Sequence, residues 1–155
     1  MDLRKQFFEN MEVLMKKDKK IMLLYIDLGF SFVENIIKRF PNRCINTGII
    51  EQAAICIAGG MSLAGFKPYV YSGTIFLLMR PYEQIRNLCY NNLNVKLCGT
   101  GASPFLGFSH NLSKIETEED LLKNLPNLKR YYPKNEKELK KVLFKKSKSP
   151  EFIKL

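Results

Sequence analysis

The segment Ala53 to Ala64, headed by Glu51 and Gln52, limits this chain more than any other stretch. It contains Ala, Ile, Cys, Met, Leu, Ser and Gly and not one charge. Wound as a helix it has no charged face, and a helix that is apolar all round belongs inside a protein. Glu51 at its head is therefore expected to be buried. An ionised carboxylate in such surroundings needs a partner or a functional role, because leaving it unpaired is costly. The structural alternative is an acidic residue in the first helical turn, where it suits the positive end of the dipole.

The segments on either side alternate between two periodicities. Leu3, Phe7, Met11, Leu14 and Met15 recur at helical spacing, which predicts an amphipathic helix over 2–17. The apolar run 21–26 reads as a strand covered on both faces. A short helix over 32–40 ends at Pro41, and a strand over 43–46 leads to the glutamate segment. Strands follow at 67–72, 94–98, 128–132 and 151–155, with helices at 77–90, 116–124 and 136–146. Pro81 either kinks the helix over 77–90 or lies in the first turn of its second part. Residues 102–115 form a loop rich in Gly, Ser, Pro and Asn that carries the only histidine, His110. This alternation predicts an α/β fold, a three-layer sandwich with a mostly parallel central sheet and helices on both faces. With no repeat and no linker, residues 1–155 read as a single domain.

In open parallel sheets ligands gather outside the carboxyl ends of the strands. Asp27, just beyond the run 21–26, is thus a site candidate, with a turn or capping aspartate as the alternative. The Gly99-Thr100-Gly101 segment lacks the third glycine of a dinucleotide site. Cys44, Cys56, Cys89 and Cys98 each lie in an apolar segment and never in a Cys-x-x-Cys arrangement, so they read as buried thiols in a reducing compartment. With one histidine in the chain, no metal site is expected. The formal charge of +10 is spread along the chain, without a basic stripe that carries a nucleic-acid-reading motif. Solvated lysine faces account for it, and anionic substrates would suit it. The charged N-terminus and the absence of a bilayer-length apolar run point to a cytoplasmic protein with no membrane partner.

Several separated segments, in order, resemble one family. They are Gly48-Ile49-Ile50-Glu51-Gln52, Ala58-Gly59-Gly60-Met61 through Ala64-Gly65-Phe66-Lys67-Pro68, and Phe76 with Arg80 and Tyr82-Glu83-Gln84-Ile85-Arg86. Asn94-Val95-Lys96-Leu97, Ser109-His110, and Leu125-Pro126-Asn127 followed by Pro133 complete the set. Together they look like the pyrimidine-binding domain of transketolases, also found in deoxyxylulose-phosphate synthases and in beta subunits of 2-oxo acid dehydrogenases. The Arg-x-x-Glu-Gln-Ile-Arg run is similar to that in the C-terminal sections of split transketolases.

The resemblance implies the thiamin diphosphate-binding fold and thiamin diphosphate chemistry. It gives Glu51 the family's glutamate role, a hydrogen bond to the pyrimidine nitrogen that activates the cofactor. That role requires a dry setting in which acid and ring share a proton. By the same resemblance Phe76 stacks on the pyrimidine, with a core phenylalanine as the alternative, and Asp27 and Ile49 lie at the cofactor. His110 contacts the sugar donor, and Arg80 meets either substrate phosphate or a structural ion-pair partner.

Two departures stand out. Position 73 is glycine where the family often has an aromatic, which predicts a more open pocket. The acidic pair usually found before the histidine segment is replaced by Phe105-Leu106-Gly107-Phe108, which leaves the donor open. The family's diphosphate-binding domain, with its Gly-Asp-Gly motif, and its C-terminal domain are not found within the 155 residues. The expectation is a subunit of a split enzyme, a heterodimer or heterotetramer, whose partner carries the diphosphate domain and holds Mg2+. The implied reaction is transfer of a two-carbon ketol unit between phosphorylated or nucleotide-linked sugars. The alternatives are a beta-type 2-oxo acid dehydrogenase subunit and a non-catalytic, partner-binding remnant.

Overall fold

The computed structural model describes residues 3–101 and 117–155. The elements run α1 (Arg4–Lys17), β1 (Ile21–Tyr25), α2 (Glu34–Arg39), β2 (Cys44–Asn46), α3 (Glu51–Leu63), β3 (Lys67–Gly73) and α4 (Thr74–Met79). They continue with α5 (Tyr82–Tyr90), β4 (Lys96–Thr100), α6 (Glu118–Leu122), β5 (Lys129–Tyr131), α7 (Glu136–Phe144) and β6 (Glu151–Lys154). The strands form one sheet in the order β2-β1-β3-β4-β6-β5, and every pairing is parallel. Parallel strands need crossovers, and the crossover helices cover both faces.

Alternation along β1 divides the core in two. Met22 and Leu24 point to the side of α3, α5 and α6, where Ala54, Ile55, Ala58, Ile85, Leu88 and Leu122 pack on Val70 and Leu97. Ile21, Leu23 and Tyr25 point to the other side, against Phe7, Met11 and Met15 of α1 and Leu139 and Leu143 of α7. Since successive residues of a strand face opposite ways, a strand covered on both sides must be apolar throughout. All five residues of β1 are buried, as a continuous apolar run requires.

On the α1 side, Phe7 stacks on Tyr71 at 5.4 Å between centroids and Phe8 meets the same ring edge-on at 4.9 Å. Gly29 lies against this cluster. Its φ of +102° disfavours any side chain, and a Cβ there would lie 2.8 Å from Phe8 Cζ. Gly29→Ala is therefore expected to destabilise the fold by about 1–3 kcal/mol through strain and overpacking, seen as a lower urea midpoint with an unchanged slope.

The expected helix over 77–90 is two helices. The first, α4, begins earlier than expected, at Thr74, and the chain breaks at Arg80 and Pro81 before α5. Pro81 has no N–H to continue a helix, so it serves as the residue before α5's first turn. The helix expected over 32–40 is confined to Glu34–Arg39, and a 3-10 turn over Pro41–Arg43 follows it.

The all-round burial expected of α3 does not hold within this chain. Ala54, Ile55, Ala58 and Gly59 are buried, but Ala53, Cys56, Ile57, Gly60, Leu63 and Ala64 are exposed. The uncharged outer face is as apolar as the inner one, yet nothing among the described residues covers it. Cys56 is consequently an exposed thiol and Cys44 a half-buried one, contrary to the expectation of four buried cysteines. Burial pushes the thiols of Cys44 and Cys89 up to about 11, so both are protonated at neutral pH. No helix among the described residues is long and apolar enough to cross a membrane.

Candidate active site

The chain leaves β1 toward β2 on one side and returns to β3 on the other, so the order of the sheet reverses between β1 and β3. A crevice opens at such a switch point, beyond the carboxyl ends of the strands. Four of the segments that leave this edge are nearest that point: residues 26–29 after β1, 47–50 after β2, α4 after β3 and Gly101 after β4.

Glu51 is the first residue of α3 and is only 3% exposed. Its place in the first turn suits the helix dipole, and its burial calls for a partner. Arg80, which follows α4 with a backbone still in the helical region, supplies one: its Nη1 donates to Glu51 Oε1 at 2.5 Å. The same guanidinium lies over the ring of Phe76, with Cζ 4.3 Å from the ring centroid. One flat cationic group is thus held by a carboxylate and an aromatic face together, a charge-assisted hydrogen bond joined to a cation–π contact.

Gly73 explains where the Phe76 ring lies. A Cβ at position 73 would come within 3.1 Å of Phe76 Cδ2, so the ring lies in the space that a side chain there would take. The glycine thus gives the Phe76 ring room to approach the end of β3. Thr74 fixes the start of α4 by donating from its hydroxyl to the carbonyls of Thr100, at 3.0 Å, and Gly101, at 3.1 Å.

Asp27 has a left-handed backbone, φ +46°, and is joined to Asn46 at the end of β2. Its N–H donates to Asn46 Oδ1 at 3.2 Å, and Asn46 Nδ2 donates back to Asp27 Oδ1 at 3.2 Å. Asn46 Oδ1 also accepts from the Gly48 N–H at 3.0 Å. Asp27 therefore braces the loop that carries Ile49 to Glu51 and caps no helix. Ile49, 68% exposed, and Ile50, 48% exposed, project from that loop, and Met79 is exposed beside Arg80. His110 and Ser109 lie outside the described residues.

The structure thus brings Glu51, Phe76 and Arg80 together and sets Asp27 behind the loop of Ile49. Sequence reasoning treated Arg80 and Glu51 separately, since no local pattern links residues twenty-nine apart. Asn46 was missed altogether. Its signal was a polar residue ending an otherwise apolar strand next to Asp27, and it became readable only once β1 and β2 were known to pair. Among the described residues no three His, Cys, Asp or Glu side chains stand together as metal ligands.

Residues 1–152 match the family model described as the transketolase pyrimidine binding domain. The chain is 33% identical over 112 residues to a subunit of apulose-4-phosphate transketolase from Actinobacillus succinogenes, covering 69% of this chain and 35% of that protein. It is 31% identical over 140 residues to 1-deoxy-D-xylulose-5-phosphate synthase of Halalkalibacterium halodurans, covering 89% of this chain and 22% of that one. A solved split gene transketolase, described as an inactive beta4 tetramer, superposes with a TM-score of 0.86 at 31% identity, covering 100% of this chain and 51% of the other. Transketolase from Campylobacter jejuni shares the fold, with a TM-score of 0.85 at 20% identity, covering 99% of this chain and 25% of that one. The chain spans about a third or less of the curated relatives it matches. Its fold and the match over 1–152 place this chain in the transketolase pyrimidine-binding domain family, a family of thiamin diphosphate enzymes.

Proposed function

We propose that this chain is the pyrimidine-domain subunit of a split, thiamin diphosphate-dependent transketolase-like enzyme. It would transfer a two-carbon ketol unit between phosphorylated or otherwise related sugars, with a partner subunit holding the diphosphate and Mg2+. The observation that carries this reading is the way Arg80 is held. Glu51 and Phe76 grip a planar, nitrogen-bearing group by a carboxylate hydrogen bond and a ring face, the two contacts that an aminopyrimidine needs. The residues present therefore fit the cofactor's pyrimidine.

When bound, thiamin diphosphate supplies a carbanion equivalent that takes up the two-carbon unit. This chain's share is positioning and proton control. Glu51, buried at the head of α3, would offer its carboxyl to the ring nitrogen, in low-dielectric surroundings that would strengthen that bond. Phe76, backed by Gly73, fixes the plane of the ring. Asp27 and Asn46 brace the loop before Glu51, and exposed Ile49 on that loop would help keep water from the ring. His110 is assigned the contact to the donor oxygen.

The ion pair between Arg80 and Glu51 has to open before Glu51 can serve the cofactor. The released guanidinium is then free for a substrate phosphate, which it can grip with two donors. Arg80→Met is accordingly expected to raise KM for a phosphorylated donor about 10-fold or more, the scale of one charge-assisted contact, while cofactor affinity stays the same or rises. Weakened cofactor binding in that variant would show that Arg80 supports the bound state.

Support for a partner comes from the relatives, one named as a transketolase subunit and one as a split gene transketolase whose beta tetramer is inactive. The outer face of α3 with Ile57, together with exposed Ile49, Ile50 and Met79, offers an apolar surface for that partner. The test is capture of the tagged chain from its own cells, followed by assay of the reconstituted pair with phosphorylated ketoses and 2-oxo acids as donors. Ketol transfer from a sugar supports the reading, and turnover of a 2-oxo acid alone overturns it.

A further inference from the structure

A cavity of about 690 Å³ opens at the opposite edge of the sheet, where the strands begin. Its wall is formed by the end of α1, the first residues of β1, β3, β4 and β5, and the segment after α7. Leu14, Ile21, Pro68, Leu143 and Phe144 give it an apolar side.

The charges around this cavity that lack an ion-pair partner among the described residues are of one sign. Lys67 is neutralised at 2.6 Å by Asp18, the only acid in the wall among the described residues, and Lys96 by the buried Glu151. Lys17, Lys129, Lys145, Lys146 and Lys148 also line the wall, and none of them has a carboxylate within ion-pair distance among the described residues. Lysines at the ends of α1 and α7 suit those helix dipoles, but that accounts for Lys17 and Lys145 only. Lys129 begins a strand, and Lys146 and Lys148 lie in a turn closed by a bond from the Ser149 N–H to Ser147 Oγ. Lys137, Lys140 and Lys141 on α7 likewise lack acid partners among the described residues but do not line the cavity. A concave wall concentrates the field of its charges, and several ammonium groups around one opening favour a ligand with closely spaced negative charges, although Lys145 Nζ also donates to Tyr131 Oη at 3.2 Å.

We propose that this cavity binds an oligophosphate group, free or as the ester of a nucleotide-like body that would lie on the apolar side. The volume falls in the range of small-molecule sites, about 300–1,000 Å³. This site does not depend on the activity proposed above.

The test is a calorimetric titration of the full chain with tripolyphosphate and with adenosine triphosphate in 0.15 M salt, without thiamin diphosphate. Saturable binding near one equivalent is expected. Adenosine triphosphate binding more tightly indicates an ester, and equal affinity indicates a free oligophosphate. The triple variant Lys129→Gln, Lys146→Gln, Lys148→Gln should lose about 10-fold or more in affinity, while Lys137→Gln, Lys140→Gln, Lys141→Gln should lose little. In the unaltered protein, the same ligands should protect Lys129, Lys146 and Lys148 from amine acylation, read by mass spectrometry. Binding that does not saturate, equal losses in both triple variants, or no selective protection would overturn the proposal.

Discussion

Glu51→Gln is expected to lower kcat of the proposed two-subunit enzyme by about 10²–10⁴-fold, the usual scale for losing a general acid–base group, while the fold and its thermal midpoint change little. The amide keeps the shape and can still accept a hydrogen bond from Arg80, so the buried position remains satisfied. It cannot share a proton with a ring nitrogen. Loss of turnover with retained structure is the signature of a group acting on the cofactor. Glu51→Ala would confuse the two effects, because it also leaves the Arg80 guanidinium without its partner. Steady-state assays of the reconstituted pair with a far-ultraviolet melting curve of the same sample measure both quantities. A variant with unchanged kcat would mean that the burial of Glu51 is structural.

The largest effect on stability is expected at the other edge of the sheet. Lys96 begins β4 and Glu151 begins β6, and their register places them side by side. The pair is buried, with side chains 7% and 0% exposed, and Glu151 Oε1 has no hydrogen-bond partner among the described residues. Removing one member leaves the other as an uncompensated buried charge, which costs about 3–5 kcal/mol. Lys96→Met is thus expected to lose that amount against a total of about 5–15 kcal/mol for a domain of this kind. The double variant Lys96→Met, Glu151→Leu should recover most of it, since an apolar pair of similar volume often matches a buried ion pair. A double-mutant cycle by urea denaturation reads the coupling directly, and additive losses would show that the two charges are separately solvated.

Much of the fold was legible because its physical causes are local. The unbroken apolar run of β1 implied cover on both faces, and Phe7, Met11 and Leu14 of α1 carried the period of a helix that covers one of them. The burial of Glu51 followed from the apolar segment behind it. The outer face of α3 misled for the same reason: apolar composition shows that a face avoids water, but not whether its own chain or another covers it. The break at Arg80 and Pro81 was open in sequence, and its consequence was hidden. Arg80, at that break, meets Glu51 twenty-nine residues away, a contact set by how β3 and α3 lie together. The close approach of the Phe76 ring to Gly73 was not legible either, because it depends on how α4 leaves β3.

The central claim is that this chain supplies the pyrimidine half of a cofactor site completed by a partner. The most direct measurement is calorimetric titration of thiamin diphosphate with Mg2+ into this chain, into the co-purifying partner, and into the two combined. Saturable binding by the pair, with neither chain alone binding at comparable affinity, is the predicted result. Tight binding by the partner alone, or none by the pair, would contradict it.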